Sequence, residues 1–78
     1  MGLSVGRPPT RVTNRIRHLR FEHGEMTQQQ LADAIGLTRQ TVIAIEQGKY
    51  SPTLEAAFRI AEVFEVPLEG VFQYQRGS

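Results

Sequence analysis

The sequence predicts an all-α domain of five short helices over residues 13–74, preceded by a flexible basic arm at 1–12 and followed by a tail at 75–78. Three observations carry this. Apolar residues recur at i, i+3 and i+4 through the middle of the chain, the spacing of one helix face. Thr and Gly bracket the periodic runs where helix starts and stops belong. No strand pair, internal repeat or low-complexity tract stands out.

Length and composition bound the answer further. A chain of 78 residues has room for one core, and a domain near this size buries only about 60% of its unfolded surface, so association helps it. There is no cysteine, hence no disulfide framework and no thiolate metal site. No apolar run reaches the roughly 18 residues of a membrane span, and the N-terminus lacks the apolar stretch of a signal peptide. The expected location is cytoplasmic. A net charge of +1 hides a gradient: residues 1–24 carry +4, residues 25–50 carry −1 and residues 51–78 carry −2. A basic end opposite an acidic one suits a protein that turns one face to a polyanion.

The elements follow in order. The first dozen residues, "MGLSVGRPPTRV", hold two Gly, two Pro and few large apolar groups, which predicts a flexible arm. A first helix runs from Thr13, with Ile16, Leu19 and Arg20 inward, and stops at "HGE" with Gly24 past its end. Thr27 and Gln30 form a capping box for a second helix, whose Leu31, Ala32 and Ile35 point inward and whose stop is Gly36. Thr38 caps a third, running to about Gln47 before Gly48. A fourth spans roughly Thr53 to Phe64, with Leu54, Ala57, Phe58, Ile60, Ala61 and Phe64 as a broad apolar stripe. Val66-Pro67 breaks it, and a fifth runs from Leu68 to about Phe72. The closing Arg-Gly-Ser has the character that an appended remnant can have, and it is set aside from the fold.

The third helix is built from mediocre helix formers: Thr41, Val42, Ile43 and Ile45 are β-branched. Core packing of Val42 and Ile45 outweighs a propensity deficit of a few tenths of a kcal/mol per residue. Only Gly36, Leu37 and Thr38 separate it from the second helix, so the two must cross steeply, as in a helix-turn-helix unit. The second helix of such a unit enters the DNA major groove. Its outward residues are apt for that task. Arg39 can grip guanine O6 and N7, Gln40 can pair with adenine, and Ile43 and Ala44 offer apolar surface to a thymine methyl. Gln28, at the start of the second helix, is placed for a phosphate. Thr38, Thr41, Lys49 and Tyr50 are further phosphate candidates.

These residues closely resemble the Cro/repressor-type (Xre-like) helix-turn-helix family of phage repressors and short bacterial and archaeal regulators. The resemblance covers residues 13–73, through "IRHLR" at 16–20, "TQQQLADAIGLTRQTVIAIEQGK" at 27–49, Pro52 and "AFRIAEVFEVPLEGVF" at 57–72. It implies a five-helix lambda-repressor-like fold, a phosphate role for Gln28, base reading by Arg39, Gln40 and Ala44, and an ion pair between Arg20 and Glu46. Two features depart from the pattern: "HGEM" is a residue longer than in compact phage repressors, and the "GRPPTRV" arm lies outside the family core. Within that arm "GRP" at 6–8 resembles minor-groove hooks, making Arg7 and Arg11 candidates for insertion; a disordered tail drawn to phosphate is the alternative.

One such unit touches too few base pairs for selectivity, so a homodimer on a two-fold operator is expected. Leu68, Val71 and Tyr74 are its candidate interface, by helix packing or by the tail "VFQY" pairing as a strand with its mate. The expected function is sequence-specific binding of double-stranded DNA in transcription regulation, most simply as a repressor. A rival reading is an antitoxin that holds a toxin partner and regulates their shared operon; a restriction–modification controller is a variant of the first. An enzyme is not expected. His18 and His23 are five apart with no Cys to join them, and no Ser–His–Asp set or phosphate-cradling Gly loop is evident, so no metal or cofactor is expected either. No small-molecule effector is expected, since these 78 residues have room for one core.

Overall fold

The computed structural model describes residues 10–76. In chain order they form β1 (Val12–Asn14), α1 (Ile16–Glu22), α2 (Gln28–Ile35), α3 (Arg39–Glu46), α4 (Leu54–Phe64), α5 (Leu68–Val71) and β2 (Phe72–Tyr74). Five helices surround the core as the periodicity predicts, and a two-stranded antiparallel sheet makes the all-α description only approximate. Val12 pairs with Tyr74, Thr13 with Gln73 and Asn14 with Phe72. Two flanking bonds extend the clasp, Gln75 N–H to the Arg11 carbonyl and Arg15 N–H to the Val71 carbonyl, both 2.8 Å.

This sheet corrects three expectations. Strand structure starts at Val12, inside the expected arm, and α1 starts at Ile16 rather than Thr13. The tail strand pairs with the start of its own chain, so its ladder on that side is not free for a mate. Strands of three residues are too short to display an alternating pattern, and their pairing joins the two ends of the chain, beyond the reach of any local rule.

Each helix contributes to one core: Ile16 and Leu19 from α1, Leu31, Ala32 and Ile35 from α2, Val42 and Ile45 from α3, Ile60, Ala61 and Phe64 from α4, and Val71 from α5. Val71 is fully buried, which removes it from the expected dimer face; as the last residue of the four-residue α5 it points into the core. Two residues of the α4 stripe are also displaced. Leu54 is 66% and Phe58 54% exposed, while Ala56 is buried. At 3.6 residues per turn, Leu54 and Phe58 stand about 90° and 130° from the centre of the buried stripe, too far round to reach the core. The C-terminus of α4 comes one step before the Val-Pro break. Glu65 takes the left-handed conformation at φ 57° and its N–H bonds back to the Ala61 and Glu62 carbonyls, an arrangement a side chain adopts less readily than glycine.

Candidate nucleic-acid interface

The α2–α3 unit is held by local chemistry. Thr27 accepts from Gln30 N–H at 3.0 Å and its own N–H reaches Gln30 Oε1 at 2.8 Å, a complete capping box. Gly36 ends α2 at φ 74°, in the left-handed region that a Cβ disfavours. Its neighbour Leu37 packs on the core, and Thr38 then caps α3 by accepting from Thr41 N–H at 3.2 Å. From α4, Arg59 Nη1 donates to the Ile35 carbonyl at 3.3 Å and fastens the turn from outside.

At its far end α3 is fixed by polar ties. Arg20 Nε and Nη2 donate to the two oxygens of Glu46 at 2.6 and 3.2 Å, and Arg20 Nη1 donates to the Met26 carbonyl at 2.8 Å. Gln28 Nε2 adds a third bond to Glu46, at 3.2 Å. The pair is shielded, with Arg20 15% and Glu46 8% exposed. One carboxylate therefore joins α1, the start of α2 and the end of α3. Asn14 of β1 completes the set: its Nδ2 donates to the Ile45 carbonyl at 2.9 Å while its Oδ1 accepts from Ile16 N–H at 3.1 Å.

Around this network lies an open cleft of about 840 Å³, lined by residues including Arg17, Arg20, Gln28, Gln29, Arg39 and Glu46. Arg20 is neutralised by Glu46, whereas Arg17 and Arg39 have no carboxylate partner among the described residues. Against one unpaired carboxylate in the lining, Glu25, stand two free guanidiniums and the first turn of α2, whose N–H groups lack intrahelical acceptors, so the cleft keeps a positive balance suited to a phosphate.

The sequence-predicted residues divide accordingly. Gln28, Arg39, Arg20 and Glu46 meet in the cleft. Gln40 is exposed on α3, and Thr41, Ile43 and Ala44 are half-buried along it; Thr38 is at its cap. Lys49 and Tyr50 are exposed in the loop beyond α3, outside the cleft. Arg11 is exposed beside β1, and Arg7 lies outside the described residues. Leu68 is half-buried and Tyr74 is 65% exposed on the side of α5 and β2. Two residues escaped the sequence reading. Arg17 was counted in the basic N-terminal charge, and its position one turn before Arg20 was the signal that it shares that wall. Asn14 left no signal beyond being a cap-type residue before a helix.

Among the described residues no helix is long and apolar enough to cross a membrane, and no group of three or more His, Cys, Asp or Glu is placed to hold a metal. Comparison with known proteins gives a consistent picture. The helix-turn-helix family pattern matches residues 18–71. An uncharacterised HTH-type transcriptional regulator of Methanocaldococcus jannaschii is 47% identical over 62 residues, covering 80% of this chain and 92% of that protein. The uncharacterised HTH-type transcriptional regulator YgzD of Bacillus subtilis is 42% identical, covering 76% of this chain and 88% of its own. The cryptic phage CTXphi transcriptional repressor RstR of Vibrio cholerae is 36% identical over 72% of this chain and 50% of RstR.

Proposed function

The chain belongs to the helix-turn-helix family of transcriptional regulators, and from that premise we propose that it is a repressor binding a two-fold DNA operator as a homodimer. The observation that carries this reading is the outward edge of α3, where Arg39 and Gln40 are exposed while Glu46 and Asn14 hold the helix in one orientation. Preorganisation of this kind is what base reading requires, because a bidentate Arg–guanine contact tolerates little misplacement.

In the proposed complex α3 lies in the major groove. Arg39 donates to guanine O6 and N7, Gln40 pairs with adenine, and Ile43 and Ala44 border a thymine methyl. Gln28, with its side chain anchored on Glu46, offers its remaining amide N–H and the free backbone donors of α2 to a phosphate. Arg17, sharing the cleft, supplies charge to the same stretch of backbone. Thr38, Thr41, Lys49 and Tyr50 bind flanking phosphates, and the arm carrying Arg7 and Arg11 follows the neighbouring minor groove. Two copies, with recognition helices about 34 Å apart, read both half-sites.

The test is a salt-series titration of labelled duplexes, comparing DNA upstream of the chain's own gene with a scrambled control. Binding at least about 100-fold tighter to the native duplex at physiological salt is expected. Equal, weak binding of both duplexes would overturn the reading and direct attention to a protein partner, the antitoxin alternative.

A further inference from the structure

The loop between α1 and α2 sets a carboxylate in the wall of a cleft otherwise suited to anions. Glu25 is exposed and lines that cleft together with Arg17, Arg20, Arg39 and Glu46. It also lines a second recess of about 360 Å³, again beside Arg17 and Arg20. Glu46 is committed to Arg20 and Gln28, whereas Glu25 forms no ion pair among the described residues. Three arginines against two glutamates leave the lining at +1, so loss of this one carboxylate would double its net charge.

The backbone keeps Glu25 in place. Its N–H donates to the Phe21 carbonyl at 3.1 Å. The next residue is tied to Arg20 twice: Met26 N–H donates to the Arg20 carbonyl at 2.9 Å, and the Met26 carbonyl accepts from Arg20 Nη1 at 2.8 Å. The loop cannot carry the carboxylate away without breaking the Arg20 network that also fixes α3. Glu25 itself takes the left-handed conformation at φ 57°, which glycine adopts freely and a residue with a Cβ does not. The turn alone would be better served by glycine, so the charge is the feature that calls for a role.

We propose that Glu25 is a brake on DNA affinity: its carboxylate repels the phosphate that the cleft receives and weakens binding of every duplex by a similar factor. Phosphate contacts carry no sequence information, so the choice among duplexes, which falls to Arg39 and Gln40, is left as it was. A smaller sequence-independent attraction shortens residence on non-specific DNA. Glu65 offers a matched comparison. It is likewise exposed and left-handed at φ 57°, but it ends α4 and lines neither recess.

This role rests on the reading of the cleft as a phosphate site for operator DNA, and one experiment separates the two. The full chain and its Glu25→Gln and Glu65→Gln variants are titrated calorimetrically, at low and high salt, with three probes: DNA upstream of the chain's own gene, a scrambled duplex, and inorganic tripolyphosphate, which has no bases. Glu25→Gln should tighten both duplexes roughly 3- to 5-fold at about 50 mM salt, shrinking toward the parent value near roughly 0.5 M, and should tighten tripolyphosphate in the same direction. Glu65→Gln changes the net charge equally and should leave all three nearly unchanged. Glu25→Gly should reproduce the tightening while raising the unfolding temperature, because it relieves the left-handed backbone; affinity and folding are thereby kept apart. A Glu25→Gln variant that binds the duplexes no tighter than the parent, or a Glu65→Gln variant that tightens them as much, would overturn the brake. Preference for the upstream duplex in those same proteins would leave the operator reading standing. Tightening of both duplexes and of tripolyphosphate by Glu25→Gln, with no preference between duplexes in any variant, would uphold the brake and overturn the operator reading.

Discussion

Helices α3 and α4 begin alike and are held in opposite ways. Each is capped by a Thr in extended conformation, Thr38 and Thr53, whose hydroxyl accepts the N–H three residues on. After that they diverge. α4 buries five side chains, three of them alanine, in eleven residues, and packs by area. α3 buries only Val42 and Ile45 in eight residues, from a sequence of poor helix formers. What α3 lacks in buried area it regains through polar ties, Glu46 to Arg20 and Gln28, and Asn14 to the Ile45 carbonyl. A helix whose outer face must stay open to a partner cannot be wrapped on that side. It is fixed by its ends, and its outward residues are then free to change without disturbing the fold.

The contrast predicts how each helix breaks. Phe64→Ala should be the largest loss, about 3–5 kcal/mol, because Phe64 is 1% exposed and central to the core. Chemical denaturation reads it directly. Glu46→Ala should follow at about 3 kcal/mol, since it strands a shielded guanidinium with no carboxylate. A loss there below about 1 kcal/mol would mean that Val42 and Ile45 alone hold α3. The paired change Arg20→Met with Glu46→Leu sharpens the point. An apolar pair of similar volume often restores stability, yet it removes the anchor of Gln28. Folding should recover while DNA affinity stays reduced, by roughly 10-fold for one lost charge-assisted bond.

The same contrast explains what could be read in advance. Features with a strong local signature were legible: the capping box at Thr27 and Gln30, the stop at Gly36, the cap at Thr38 and the inward residues of α2 and α3. The Arg20–Glu46 pair spans 26 residues and came only through family resemblance, because no spacing rule connects residues that far apart. What joins the chain's ends was hidden. The β1–β2 clasp, the burial of Val71 and the outward turn of Leu54 and Phe58 all depend on where α5 and β2 return. An apolar residue at the margin of a helical stripe reads as core until the packing direction is known, and Phe58 sits at that margin.

On the outer face of α3 the effect should move from stability to binding. Arg39→Ala removes an exposed side chain with no intramolecular partner among the described residues, so folding should change by less than about 0.5 kcal/mol. Affinity for the preferred operator should fall by about 1–3 kcal/mol, with discrimination relaxed at one base pair. Competition titrations against single-base variants check this. A uniform loss across all variants would instead make Arg39 a phosphate contact, as its place in the cleft beside Gln28 also permits.

The smallest effects should separate the two caps. Thr38→Val and Thr53→Val each leave one N–H at a helix start without its acceptor, and each should cost about 1 kcal/mol of stability. Thr38 has a further feature. Its hydroxyl lies 2.9 Å from that of Thr41, so of the two hydroxyl hydrogens one serves the pair and the other is left to donate elsewhere. At the start of α3 that donor is available to a phosphate, whereas Thr53 has no such neighbour. Thr41→Val should therefore weaken DNA binding by up to roughly 10-fold with folding nearly unchanged, the loss of one hydrogen bond to a charged acceptor. Thr38→Val should weaken both, and Thr53→Val folding alone. Titration of folded protein at low temperature keeps the two readouts apart. Equal affinity for DNA in all three variants would show that the α3 cap has no duty beyond that of α4, and the phosphate would then have to be held by Gln28, Arg17 and the first turn of α2.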